Sequence, residues 1–170
     1  MPSGIQSGYV NGSDLLVFMV EGSGSSITRK AIGHCTTHTA SFNTETKDVA
    51  VKPAASQVQS KRSLFKNKRV TGLSAQVKCS GLHIYAEDEA GLKYILSKWA
   101  LGAPVYLELM ERTTATTSDA PDPYCKGDFI ISSLEHTAPA SDDVTYDVTF
   151  DNDGPVDVDS TKLDHDPLTA

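Results

Sequence analysis

The 170-residue chain contains no apolar run near the roughly 20 residues that a helix needs to cross a bilayer. Its longest such run, Leu15 to Val20, has the length of a strand. The opening stretch MPSGIQSGYVNGSD lacks the positive cluster and apolar segment of a secretory signal, so folding in the cytoplasm is the expectation. Cysteine is scarce and odd in number. Cys35, Cys79 and Cys125 lie far apart with no CxxC among them, which argues against a disulfide framework or a zinc ribbon and predicts buried free thiols. Neither GxxxxGK nor GxGxxG occurs, so nothing supports nucleotide binding.

What is present fits one soluble domain. Hydrophobic residues make up 39% and charged residues 22%, and a chain of this length forms a single core in the usual range of about 100 to 200 residues. The net charge of −7 conceals a segregation. Residues 47 to 78 carry eight basic side chains against Asp48 alone, whereas residues 141 to 170 carry nine aspartates against Lys162 alone. Opposite surpluses on one small domain suit a surface that meets other copies or a polyelectrolyte.

Period-two alternation dominates, the mark of strands with one buried face. Strands are predicted at 14–20, 27–34, 35–42, 70–85, 104–112, 124–136 and 142–150. In the fourth, Leu73, Ala75, Val77 and Cys79 share a face; in the last, Val144, Tyr146, Val148 and Phe150 do. One helix is predicted over 87–101, with Leu92, Ile95, Leu96 and Trp99 as its apolar stripe, Glu87, Asp88 and Glu89 at its positive end, and Gly102 with Pro104 ending it. The expected fold is mainly β: an antiparallel β-sandwich or barrel with one flanking α-helix. Residues 1–13 form an N-terminal arm and 14–151 the β-domain. Residues 43–69 read as a long loop, and 152–170 as an acidic tail too poor in apolar groups to fold alone.

Candidate chemistry fails motif by motif. His34, Cys35 and His38 have metal-ligand residue types, but a regular strand puts Cys35 on the face opposite the two histidines, and a fourth ligand would have to come from Cys79 or Cys125. No oriented base or oxyanion donor accompanies Cys35, so no catalytic residue is assigned and no enzyme is expected. The acidic run from Asp157 imitates the start of a calcium loop, but Lys162 stands where glycine is required and Leu168 where glutamate is. The basic run KRSLFKNKR at 61–69 has a composition able to meet nucleic acid, yet it belongs to a chain with a pI near 5.1, which favours pairing with an acidic protein surface.

Several stretches in order carry a resemblance. DLLVFMV, KAIGHCTTHTASFNTETKDVAVKP, VTGLSAQVKCSGL, LKYILSKWALGAPV and FIISSLEHTAPASDDVTYDVTFDNDG together resemble the major tail tube proteins of long-tailed bacteriophages, in the branch similar to the lactococcal-type major tail protein, over residues 14 to 154. The inserted GSGSSIT and the extended TTATTSDAPDP depart from that pattern.

The resemblance implies a structural subunit that self-assembles into stacked hexameric rings. These would form the conduit for genome ejection in a virion tail made in the host bacterial cytoplasm. It implies a tape-measure protein in the lumen, tail terminator and baseplate or tail-tip partners, transient non-specific passage of DNA, no membrane and no cofactor. The long loop would reach a neighbouring subunit or ring through Glu45, Lys47, Asp48, Lys52, Lys61, Arg62, Lys66, Lys68 and Arg69. Physical reasoning agrees in two respects: sheets joined across subunits remove exposed edges, and opposite surpluses at two places attract head to tail. The alternatives are a tube subunit of a contractile tail or tail-like injection system and, in a different class, a monomeric β-barrel that binds a small ligand.

Overall fold

The computed structural model describes residues 12–22, 26–49, 67–84, 90–112 and 123–163. Seven strands form one antiparallel sheet: β1 (Leu15–Glu21), β2 (Thr28–Ala31), β3 (Cys35–Val49), β4 (Asn67–Leu82), β5 (Val105–Glu111), β6 (Cys125–Thr137) and β7 (Thr145–Val158). Their order is β2-β1-β5-β6-β7-β4-β3, so strands consecutive in the chain, β2 and β3, lie at opposite edges.

That order forces the sheet to roll up. Flat, seven strands would set the edges about 29 Å apart at roughly 4.8 Å per step. The three residues between Ala31 and Cys35 reach at most about 14 Å. Ile32, Gly33 and His34 therefore form the seam of a closed, barrel-like body. The Ile32 amide donates to Val17 O (2.9 Å), the Gly33 amide to Ala90 O (3.1 Å), and the Leu82 amide to His34 O (3.2 Å). His34 turns the chain with a φ of 45°.

Inside the roll, alternate residues meet as their sequence period requires. Phe129, Phe150, Tyr146, Leu107 and Val77 are fully buried; the expected inward faces hold for Ala75, Val77 and Cys79 of β4 and for Tyr146, Val148 and Phe150 of β7, whereas Leu73, expected in the core, lies beyond its last layer and is exposed. The helix α1 (Leu92–Leu101) closes one side and ends at Gly102, whose left-handed φ of 63° lets its amide cap Trp99 O. It begins at Leu92 rather than 87, and residues 85–89, with the expected acidic start, lie outside the described residues.

Its inward stripe also differs from the expected one. Gly91, Tyr94, Ile95 and Lys98 fall at i, i+3, i+4 and i+7. Ile95 is buried, while the Tyr94 ring takes Lys30 at 4.7 Å and Lys98 at 5.3 Å, and Lys98 pairs with Glu21. Cation–π and ionic contacts through long amphipathic side chains rotate the helix, leaving Leu96 and Trp99 exposed.

Two polar segments are strands where loop or tail was expected. β3 and β4 extend through Val49 and from Asn67, and β7 runs on to Val158 before a 3-10 turn at Ser160–Leu163. β7 finds its partner in the start of β6, pairing Val156 with Gly127 and Val158 with Cys125 across an irregularity where Gly154 adopts a φ of 96°. Backbone pairing with a strand already in place needs little apolar content, and composition alone misses it.

The seam generates a stability test. The Tyr146 hydroxyl donates to Gly33 O inside the core, and a Cβ on Gly81 would stand 2.7 Å from that hydroxyl and 2.8 Å from His34 O. Tyr146→Phe should destabilise the chain by about 1–3 kcal/mol by orphaning a buried carbonyl. Gly81→Ala should cost about 1–3 kcal/mol through overpacking. Urea unfolding measures both.

Candidate assembly surface

Beyond the Phe42–Ala75 pair, β3 and β4 leave the body as a two-stranded arm. From Asn43 to Val49 every residue is exposed, and from Asn67 to Ser74 only Gly72 is partly covered. The strands nevertheless stay in register, pairing Thr44 with Leu73, Glu45 with Gly72, Thr46 with Val70, Lys47 with Arg69 and Asp48 with Lys68. Thr71 is an extra residue in β4, a bulge that bends the arm and increases its twist.

The pleat gives the arm two chemically different faces. One continues the inward face of the body and carries Phe42, Leu73 and Val70, which are 52%, 75% and 55% exposed. This apolar stripe begins where the core ends, with nothing among the described residues covering it. The other face holds Lys47 directly opposite Arg69. Like charges at opposed positions disfavour a hairpin.

The residues expected to make contacts are thus partly brought together. Glu45 sits at the bulge, its Oε2 3.1 Å from where a Cβ on Gly72 would lie, and Lys47, Asp48, Lys68 and Arg69 share the described part of the arm. Lys52, Lys61, Arg62 and Lys66 lie outside the described residues.

Sequence reasoning assigned the arm's charges but missed its apolar stripe. The signal was available: the inward period of β4 continues through Leu73 into a segment with no counterpart in the core. A second pair of exposed apolar side chains, also missed, is Leu96 and Trp99, three residues apart on α1.

A further face is polar. On the side away from the core, β3, β4, β7 and β6 align Thr37, Ser80, Asp147 and Glu135 in one row, and Thr39, Lys78, Thr149 and Ser133 in the next. Asp151 accepts from Gln76 Nε2 at 2.7 Å, and this bond, with Ser132 adding to it, holds its carboxyl below the ordinary range. Short hydroxyls alternate with carboxylates, and Asp147, Asp151 and Glu135 outnumber Lys78.

The metal-like triplet resolves differently from its strand expectation. Thr36 is an extra residue, so Cys35 pairs with Gly81 and joins His38 and Cys79 on the inward face. Among the described residues no group of three His, Cys, Asp or Glu side chains is placed to hold a metal ion.

The sequence profile described as "Phage tail tube protein" matches residues 9–158. No curated protein sequence matches the chain. Among solved structures, a subunit from the tail of an empty gene transfer agent particle, refined with C6 symmetry, is similar at TM-score 0.64 and 19% identity, over 89% of this chain and 100% of that one. A subunit of the native gene transfer agent virion gives 0.63 and 17%, with coverage of 89% and 100%. The SPP1 tail tube protein gives 0.60 and 12%, with coverage of 91% and 83%. At these identities the likeness is one of fold.

The exposed stripe predicts a separation of stability from association. The double substitution Val70→Ser and Leu73→Ser should change unfolding free energy by less than about 0.5 kcal/mol, because neither side chain is buried in the subunit. The same change should reduce self-association in sedimentation at high protein concentration.

Proposed function

The chain belongs to the phage tail tube protein family, a structural subunit of the virion tail, and on that premise we propose how its copies assemble: six close into a ring, and rings stack into a hollow tube that conducts the genome. The observation that carries this reading is the arm, a paired hairpin with an apolar stripe and no core of its own. Within the family, the ordered run from DLLVFMV to TYDVTFDNDG supports the branch similar to the lactococcal-type major tail protein.

Each copy's arm reaches the next subunit or ring. Phe42, Leu73 and Val70 bury against the neighbour, while Lys47, Lys68 and Arg69, together with Lys52, Lys61, Arg62 and Lys66, meet its aspartate-rich surface. Glu45 and Asp48 set the local register of that contact. Arm and acidic surface are different patches, so the contact is heterologous and propagates, closing a ring or extending a stack. The polar face of β3, β4, β7 and β6 lines the lumen. Its carboxylates repel phosphate, which lets DNA pass without the cationic contacts that generate affinity. The same bore holds a tape-measure protein before ejection, with terminator and tip proteins capping the two ends. Synthesis takes place in the host cytoplasm, and the subunit carries out no catalysis.

Negative-stain microscopy of purified protein tests this directly: rings or tubes with an open bore are expected, and a strictly monomeric species at high concentration would overturn the reading. Joining Glu45 to Gly72 through an Asn-Gly turn, in place of residues 46–71, should leave a folded monomer by circular dichroism and abolish the rings. Raising salt from 0.1 to 1 M, which shortens the screening length from about 10 to about 3 Å, should raise the protein concentration needed for assembly.

A further inference from the structure

Two of the three cysteines stand together in a way that assembly does not use. The bulge at Thr36 turns Cys35 onto the inward face of β3, where it packs against the same apolar cluster that buries Cys79. The residue opposite Cys35 is Gly81, and Cys79 lies two residues along β4 on the same inward face, diagonal to Cys35 across the ladder. Thr36 Oγ1 fixes the bulge by donating to Ser80 O at 3.1 Å, and the Cys35 thiol reaches Thr37 O at 3.2 Å.

The two thiols are unlike. A hydrogen bond from Cys79, with Thr37 and Ser80 backbone adding to it, holds Cys35 down to about 7, and Cys35 remains half-buried. Cys79 is buried, and both its bond to Cys35 and its burial push it well above the ordinary thiol range. A half-buried, acidic thiol beside a fully buried one is the arrangement of an attacking and a resolving cysteine.

We propose that Cys35 and Cys79 are a dithiol oxidation site, closed to an intramolecular disulfide by a low-molecular-weight disulfide such as oxidised glutathione. The Cys35 thiolate attacks one sulfur of the glutathione disulfide, forming a mixed disulfide and releasing one glutathione thiolate. Cys79 then loses its proton to solvent and attacks the Cys35 sulfur, expelling the second glutathione thiolate. The two cysteines are oxidised by two electrons, and one glutathione disulfide is reduced to two thiols. The pair is diagonal across the ladder, so closing the bond shifts the two strands against each other, and the bulge supplies the freedom. A bond made against that displacement is readily reversed by thiols. It would cross-link β3 to β4 beside the seam, at the end of β3 away from the arm.

The test uses the full chain incubated with oxidised glutathione, quenched with acid, then titrated for free thiols under denaturing conditions and mapped by mass spectrometry. The three thiols should fall to one, with Cys35 and Cys79 in a single cross-linked peptide. Cys125 should survive, since burial pushes its thiol up to about 11. Cys79→Ser should stop at a glutathione adduct on Cys35, and Cys35→Ser should keep both remaining thiols. The proposal is overturned if the unsubstituted chain keeps three thiols, ends as a glutathione adduct on Cys35, or links Cys35 to Cys125 or to another chain. These outcomes are read on the unsubstituted protein, so they hold whether or not the variants fold.

Discussion

The body of this protein depends on closing a seam between two strands that are neighbours in the chain and strangers in the sheet. β2 and β3 are separated by Ile32, Gly33 and His34, yet they occupy the two edges of the sheet. The roll that reconciles these facts is held along the seam by the backbone bonds from Ile32 to Val17 and from Leu82 to His34, and by Tyr146, which reaches Gly33 O where Gly81 leaves room for it. The core residues of β4, β5, β6 and β7 face one another only because the sheet has closed, and α1 is fastened beside the same seam by the bond between Gly33 and Ala90.

Once the body is closed, its inward face cannot hold everything the strands present to it. β3 and β4 continue past the last core layer with their pairing intact. Ordering each backbone residue there opposes folding by about 1–2 kcal/mol, and a lone two-stranded hairpin is marginal in water. On the proposed assembly, the stripe of Phe42, Leu73 and Val70 would supply the compensation when another surface covers it. On that reading the subunit is a body joined to an arm whose free energy would be completed by a neighbour.

Much of this was readable as pattern. The alternation of Ala75, Val77 and Cys79, and of Tyr146, Val148 and Phe150, specified two core strands, and Gly102 marked the end of the helix. What could not be read depended on partners remote in sequence. Asn43–Val49 and Asn152–Val158 look like loop and tail by composition, and are strands because β4 and β6 offer them a ladder. The bulges at Thr36 and Thr71 have no sequence mark, yet the first moves Cys35 to the opposite face and so reverses an inference from regular strand geometry. On α1, counting apolar residues chose Leu96 and Trp99 for the buried stripe, whereas Tyr94 and Lys98, held by Lys30 and Glu21, turn toward the body.

The two edges of the sheet are unequal. β2 has four residues and β3 has fifteen. A long unpaired edge invites its own kind: two copies could align β3 against β3 and satisfy each other in a symmetric dimer that leads nowhere. Such a pairing would bring two arms with the same surplus of positive charge side by side, and a bulge already twists each arm away from a flat edge. On the proposed assembly, the lysines and arginines of the arm would act twice, attracting the correct neighbour and repelling the dead-end one, and the second role would keep free subunits available for growth.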